Sequence, residues 1–320
     1  MTGRVVVVGS FNQDHVWTGS QLPAPGQTVS GRYASGPGGK GFNQAIAARR
    51  AGAETRLVCA LGHDGAAELA LALARADGLV LHAERVEAAT GCAAVVVDGE
   101  GRNQIVVAPG ANAALSHAHV LAQADAIERA GVVLAQVEVA PSAVAAALHH
   151  ARRNGIVTVL NPAPADAEID RELLTLADIL TPNETEFCAL LARHAGLDLA
   201  PDDIAGLADD RLAELCRRLS AGTVVITLGR HGCLISHGQH RHGDAQAVYR
   251  LGPEPVRAID TTGAGDAFNG ALAAALAQHP ERPFVHAARF ANRYAALSTE
   301  RPGAALAMPT RSEFEARYPG

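Results

Sequence analysis

Residues 132–160 read VVLAQVEVAPSAVAAALHHARRNGIVTVL, and two periodicities meet in this stretch. Val132–Gln136 and Ile156–Leu160 are short apolar runs of strand type, and between them Pro141–Arg153 carries apolar residues at helical spacing. Strand, helix, strand is the βαβ unit, which joins parallel strands through a helix on the sheet face. The same alternation extends in both directions. Strand-type runs recur at Val5–Val8, Arg56–Ala60, Asp178–Leu180 and Val224–Thr227, separated by helical stretches at Gly41–Ala51, Gly65–Ala76, Ser116–Arg129, Asn183–Arg193 and Asp209–Ala221. Further strand-like runs at Cys233–Ser236, Ala247–Arg250 and Pro255–Ala258 lead to helices at Gly263–Gln278 and Pro283–Ser298. The pattern predicts an α/β fold of three layers, with a mainly parallel central sheet between helices.

Two segments break the alternation. Asp14–Ser35 is punctuated by Pro23, Pro25 and Gly26, and Gly91–Val107 reads as a hairpin turning at Asp98–Gly101. Strands outside the βαβ series are expected to form a small separate sheet. Over the carboxyl ends of the main strands, where open α/β sheets bind ligands, it would act as a lid. The chain is read as one domain, 1–320, with the lid strands inserted at about 14–35 and 91–107.

Composition narrows the function classes. The chain is 48% hydrophobic and 19% charged, which supplies a core and excludes disorder. Its 27 Lys and Arg against 33 Asp and Glu leave a net charge of −6 spread along the chain, a poor match for nucleic acid or anionic lipid. No apolar run approaches the roughly 20 residues of a membrane span, and the N-terminus lacks the pattern of a signal or transit peptide, so a cytoplasmic location is expected. Five scattered cysteines without a CxxC read as buried free thiols. His237, His240 and His242 lie in SHGQHRHGD, where a solvated hairpin turn is weighed against a zinc or nickel site.

Polar residues gather at the predicted strand ends. GSFNQD places Asn12 and Asp14 past the first strand, on one side by alternation, where they hold sugar hydroxyls or simply form an Asx turn. Glu138 follows the strand at Val132, TPNETE follows Asp178–Leu180, and TLGRHG follows Val224. Gly36–Gly41, GPGGKG, formally matches the dinucleotide pattern but follows the insertion instead of the first strand, and no acidic residue stands about 20 positions on. A Walker A loop fails because Gly41 follows Lys40. What remains is a glycine-rich approach to a helix whose first turn carries Lys40, Asn43 and Gln44. In Ala258–Gly270, AIDTTGAGDAFNG, small residues open a helix whose amides converge on one point, and Asp266 lies in its first turn. A carboxylate beside such an oxyanion-type hole suits removal of a proton from a hydroxyl that attacks a phosphoryl group.

The ordered set GSFNQD, PGGKGFNQA, GANAALS, NPAPA, TPNETE, TLGRHG, DTTGAGDAFNG and RPGA resembles the PfkB carbohydrate kinase family, most closely its ribokinase branch, from residue 5 to about residue 310. The resemblance implies an ATP-dependent kinase for a primary hydroxyl of a small sugar, D-ribose at O5 first, with a nucleoside or ketose as the alternative acceptor. A sugar-binding sensor without turnover is the reading from another class, and the intact Asp266 motif argues against it. By the same resemblance Asn12, Asp14, Gly39, Lys40, Asn43 and Glu138 bind the sugar, Asp266 is the catalytic base, and the amides of Gly263, Ala264 and Gly265 form the anion hole. ATP is then held by Asn183, by Thr227, Gly229 and Gly232, by Gly265 and by Asn292, and Glu186 organises Mg²⁺ through water. A monovalent cation, K⁺, would be bound by Asp260, Thr262, Ser298, Arg301 and Gly303. The resemblance also implies a homodimer joined through the lid. Three positions depart from the family pattern. Phe42 stands where Ala is usual and either narrows the sugar pocket or packs into the helix, Asn292 replaces a common His, and STERPGA alters the cation segment.

Overall fold

The computed structural model describes residues 3–319. Thirteen strands form two sheets: β1 (Arg4–Val8), β2 (Asn12–Gly19), β3 (Gly31–Gly38), β4 (Glu54–Leu61), β5 (Val80–Arg85), β6 (Gly91–Val97), β7 (Asn103–Ala108), β8 (Val132–Gln136), β9 (Val157–Asn161), β10 (Ile179–Leu180), β11 (Thr223–Thr227), β12 (Cys233–Ser236) and β13 (Val248–Leu251). The large sheet has the order β13-β12-β11-β10-β9-β8-β1-β4-β5, parallel except at one edge, where β12 pairs antiparallel with both β11 and β13. The small sheet has the order β3-β2-β6-β7.

Alternation along the strands builds the three layers. Val5, Val7, Leu57, Leu134 and Val225 point to one face and pack against the helices Lys40–Arg50, Gly65–Asp77, Ala264–Gln278 and Phe284–Ser298. Val6, Val8, Val58, Val133 and Ile226 point to the other, against Pro141–Arg153, Glu184–Ala195 and Asp209–Leu219. β1 has β4 on one side and β8 on the other, so the chain winds outward in two directions from it, and such a switch point leaves a crevice at the carboxyl ends of the strands.

Several sequence expectations change. The broken segment is strand from Asn12, so Asn12 and Asp14 lie on β2 and not in an Asx turn, and Gly36–Gly38 end β3. Pro255–Ala258 is not a strand; Pro253 and Pro255 remove two amide donors that a ladder needs. The helix expected over Ser116–Arg129 is two short helices, His117–Leu121 and Ala124–Glu128, parted where Gln123 N–H bonds back three residues to Val120 O. Edge strand β5 was not anticipated. The loop between β12 and β13 is only partly solvated, because His237 is buried, with Nε2 3.0 Å from Asp244 Oδ2 and Nδ1 3.0 Å from Thr223 Oγ1. His237 is thus tied inward, and among the described residues no group of three or more His, Cys, Asp or Glu side chains converges on a metal position. All five cysteines are unpaired, four of them buried and Cys92 partly exposed. No helix among the described residues is long and apolar enough to cross a membrane.

The helices Lys40–Arg50 and Ala264–Gln278 lie in direct backbone contact. A Cβ on Gly270 would stand 2.3 Å from Gln44 O and 2.8 Å from Ala48 N. In an exposed helix Gly→Ala gains up to about 1 kcal/mol. Here Gly270→Ala is expected to lose roughly 1–3 kcal/mol through overpacking, read as a lower urea midpoint. A midpoint equal to or above that of the parent would contradict this packing.

Candidate active site

Across the switch point, the segment after β1 meets the segment after β8. Ser10 Oγ donates to Glu138 Oε2 at 2.6 Å, and the backbone N–H of Lys40 donates to the same oxygen at 2.9 Å. Gly41 makes this junction possible, since a Cβ there would lie 2.3 Å from Ser10 N. Lys40 thereby opens its helix against the strand ends, with Nζ 4.0 Å from Glu138 Oε1. Asn112, in the turn after β7, donates to Phe11 O at 3.0 Å and to Asn12 Oδ1 at 2.8 Å, and accepts from Phe11 N–H at 3.1 Å. It fixes the point where the large sheet hands the chain to the small one.

Asp266 lies in the first turn of the helix Ala264–Gln278 and is buried. Asn43 Nδ2 donates to its Oδ2 and Gln44 Nε2 to its Oδ1, each at 2.9 Å. Burial holds the Asp266 carboxyl above its ordinary pKa, opposed by the Lys40 charge and by the bonds from Gln44 and Asn43. For Lys40, burial alone would favour the neutral amine, but Asp266, Glu138 and Glu186 outweigh it and raise its pKa. Asp14 is pushed up to about 6, first by burial and then by the charges of Glu138 and Asp266. Asn43 Oδ1 is buried without a hydrogen-bond partner.

The six sugar-side residues read from the sequence are therefore gathered around Asp266. Asp14 lies against Gly38, and Gly39 against the backbone of Asn12, which places both near Lys40. Of the three amides suggested for an anion hole, that of Ala264 already donates to Thr261 O at 3.1 Å. The helix start is open around Gly265, where a Cβ would meet no atom within 4 Å. Phe42 is 1% exposed and meets Phe11 edge to face with ring centroids 5.1 Å apart, so it belongs to the core and does not line the crevice.

The remaining candidates form two outer groups. Asn183 caps the helix Glu184–Ala195 in a capping box with Glu186, and it bridges to Thr227. Glu186 is buried, and burial raises its pKa. Gly232 presses on Gly252, whose carbonyl accepts from Asn292 Nδ2 at 2.9 Å. Asp260 accepts from Thr262 N–H at 2.9 Å and Gly303 N–H at 2.8 Å, which ties the two halves of the suggested cation loop together. Those bonds outweigh burial and lower its pKa. Ser298 Oγ, by contrast, donates to Ala295 O within its own helix, and the Arg301 guanidinium pairs with Glu313 at 2.9 Å. Ser10, Asn112 and Asn161 lie within GSFNQD, GANAALS and NPAPA without a role assigned from the sequence, and Gln136 lies outside those motifs. A polar Gln136 closing an otherwise apolar strand was the available signal.

The model of the pfkB family carbohydrate kinases matches residues 2–311. A ribokinase of Mus musculus is 37% identical over 314 residues, covering 97% of this chain and 93% of that protein. The solved ribokinase of Giardia lamblia superposes with a TM-score of 0.86 at 30% identity, covering 99% of this chain and 98% of that one. The Arabidopsis thaliana ribokinase complexed with ribose and ATP gives a TM-score of 0.81 at 28% identity, with 99% and 98% covered. A match across nearly the whole chain, on a site with its carboxylate at an open helix start, has one consequence: the chain belongs to the pfkB family of carbohydrate kinases, in its ribokinase branch.

Proposed function

We propose that the protein transfers the γ-phosphoryl group of ATP to O5 of D-ribose, giving ribose 5-phosphate and ADP. The observation that carries this is the buried Asp266 carboxylate at an open helix start, facing Lys40 and Glu138 across the crevice. Asp266 takes the proton of the acceptor hydroxyl, the new O–P bond forms as the bond from the γ-phosphorus to the β-phosphate oxygen breaks, and ADP leaves. Burial makes this carboxylate a stronger base than a solvated one, while Lys40 and the two amides hold it ionised. The backbone N–H groups of Gly263 and Gly265, at the positive end of their helix, face the developing phosphoryl charge.

Asn12, Asp14, Gly39, Lys40, Asn43 and Glu138 hold the sugar in this reading, and a sugar hydroxyl supplies the donor that Asn43 Oδ1 lacks. Asn183, Thr227, Gly229, Gly232 and Asn292 line the ATP side. Glu186 would hold the Mg²⁺ of the nucleotide through water, and the ion would supply neutralisation of phosphate charge. In the same reading Asp260, Thr262, Ser298, Arg301 and Gly303 would hold K⁺, mostly through backbone oxygens, on a loop that the bonds of Asp260 to Thr262 and Gly303 tie together. Coupled assay of ADP release is expected to show ribose-dependent turnover that requires Mg²⁺ and runs faster in K⁺ than in Na⁺. Asp266→Asn is expected to lower kcat by about 10²–10⁴ with ATP KM within a few-fold. No turnover on ribose, or full turnover in the variant, would overturn the assignment.

Asp14 gives a pH signature. Its folded pKa of about 6 exceeds the ordinary 3.8, so between these values the folded chain holds a proton that the unfolded chain has lost. This group's contribution to stability therefore falls as pH rises through that window. For the sugar, the ionised carboxylate is the better acceptor, so ribose KM is expected to climb as pH falls through 6, and Asp14→Asn is expected to flatten the climb. A ribose KM independent of pH between 5 and 8 in the parent would remove Asp14 from the sugar site.

The chain reads as one domain whose small sheet is a lid. Alternation puts Trp17, Tyr33 and Val106 on the face opposite Asp14, and all three are exposed. A second copy laid on this face would cover them, so a homodimer is expected by light scattering, and a monomer at micromolar concentration would count against it. A cytoplasmic location belongs to the same reading, and cell fractionation tests it by recovery of the enzyme in the cytoplasmic fraction.

A further inference from the structure

Behind Asp266 runs a connected chain of buried amides. Gln136 Nε2 donates to Gln44 Oε1 at 2.6 Å, Gln44 Nε2 donates to Asn161 Oδ1 at 3.0 Å and to Asp266 Oδ1 at 2.9 Å, and Asn161 Nδ2 donates to Thr181 O at 3.0 Å. The orientation of each amide follows from the next. A backbone carbonyl only accepts, so Asn161 must turn its NH₂ to Thr181 and its oxygen to Gln44. That oxygen requires the NH₂ of Gln44, and the remaining Gln44 oxygen meets the NH₂ of Gln136. Both hydrogens of Gln44 Nε2 are thereby used, one on Asn161 and one on Asp266. Gln44 and Gln136 are 0% exposed, so neither touches a ligand in the crevice.

We propose that Gln44 is a positioning residue for phosphoryl transfer: locked between Gln136 and Asn161, it grips Asp266 Oδ1 and leaves Oδ2 for the acceptor hydroxyl. The proposal rests on the reading of Asp266 as the base. Asn43, which now occupies Oδ2, also carries the unpartnered Oδ1 that a sugar would engage. When Asn43 turns to the sugar, the grip of Gln44 remains and keeps the carboxylate aimed and ionised. The charged groups facing Asp266 are Lys40 at the start of the helix Lys40–Arg50, Glu138 after β8, Asp14 on β2 and Glu186 at the start of Glu184–Ala195. Among these Lys40 alone favours the ionised form, so a neutral donor held in place has a clear task.

The test compares the parent with Gln44→Met, which keeps the length and flexibility of the side chain and removes both donors. Loss of a hydrogen bond to the ionised form raises a carboxyl pKa, by about one unit, or tenfold in proton affinity, for one buried donor. At saturating ribose and ATP, kcat of the variant is expected to fall by up to about tenfold along the acid limb of the parent's pH profile and to return within about threefold of the parent on its alkaline plateau. Both KM values are expected to stay within about threefold. Gln136→Met, which frees Gln44 without removing it, is expected to move the acid limb the same way by less, and it carries the test if Gln44→Met does not fold. A carbon-13 NMR titration of the Asp266 carboxyl without substrates reads the same shift independently of which acceptor the enzyme uses. That separates failure of the inference from failure of the ribose reading. Unshifted titrations and superimposable pH profiles, or a loss equal at every pH, would overturn it.

Discussion

A carboxylate removed from water is costly unless charge and donors meet it. At Asp266 they do so from one direction, the helix Lys40–Arg50, which brings the Lys40 ammonium and the amides of Asn43 and Gln44 to bear on a single group. That helix must then lie flush on Ala264–Gln278, and the bare Cα of Gly270 against Gln44 O is the trace of this demand. It must also begin hard against the end of β1, where Gly41 and Ser10 meet. These two close backbone approaches thus follow from seating one charge.

Much of this was legible in the sequence. Val5–Val8 and Val132–Gln136 read as buried parallel strands because every residue but the last Gln is apolar, and the structure buries all nine positions. Glu138, past a strand end, was legible as a candidate because it is polar where the pattern alone asks for nothing polar, and Asp266 because small residues open the helix whose first turn carries it. What stayed hidden depends on partners distant in the chain. Gln136 and Asn161 became informative only once Gln44, about a hundred residues away in sequence, was seen between them. Strand β5 was missed because VLHAER lies at a sheet edge and lacks the apolar run of its neighbours. His237 was assigned to solvent from its glycine-flanked loop, yet it sits beneath that loop with Asp244 and edge-on to Phe284.

Phe42 shows how a departure from a family pattern is resolved by packing. A phenyl ring in the first turn beside Lys40 looked able to reach the sugar. Its ring instead points away from Lys40 into the core and meets Phe11, whose own backbone is pinned by Asn112. The larger side chain therefore fills space behind the site and leaves the polar lining of the crevice intact.

Asn12 and Asp14 ride on the small sheet, whereas Asp266 and the open helix start belong to the large one, and near the site the two meet at the Asn112 junction and the Gly38–Gly39 step. On the proposed reading, part of acceptor recognition, at Asn12 and Asp14, is carried by the small sheet, while Gly39, Lys40, Asn43 and Glu138 share the elements that hold Asp266. Drift in the small sheet can then retune which hydroxyl compound is accepted while the transfer apparatus stays untouched, and this division gives one architecture room to diversify across sugars without rebuilding its chemistry.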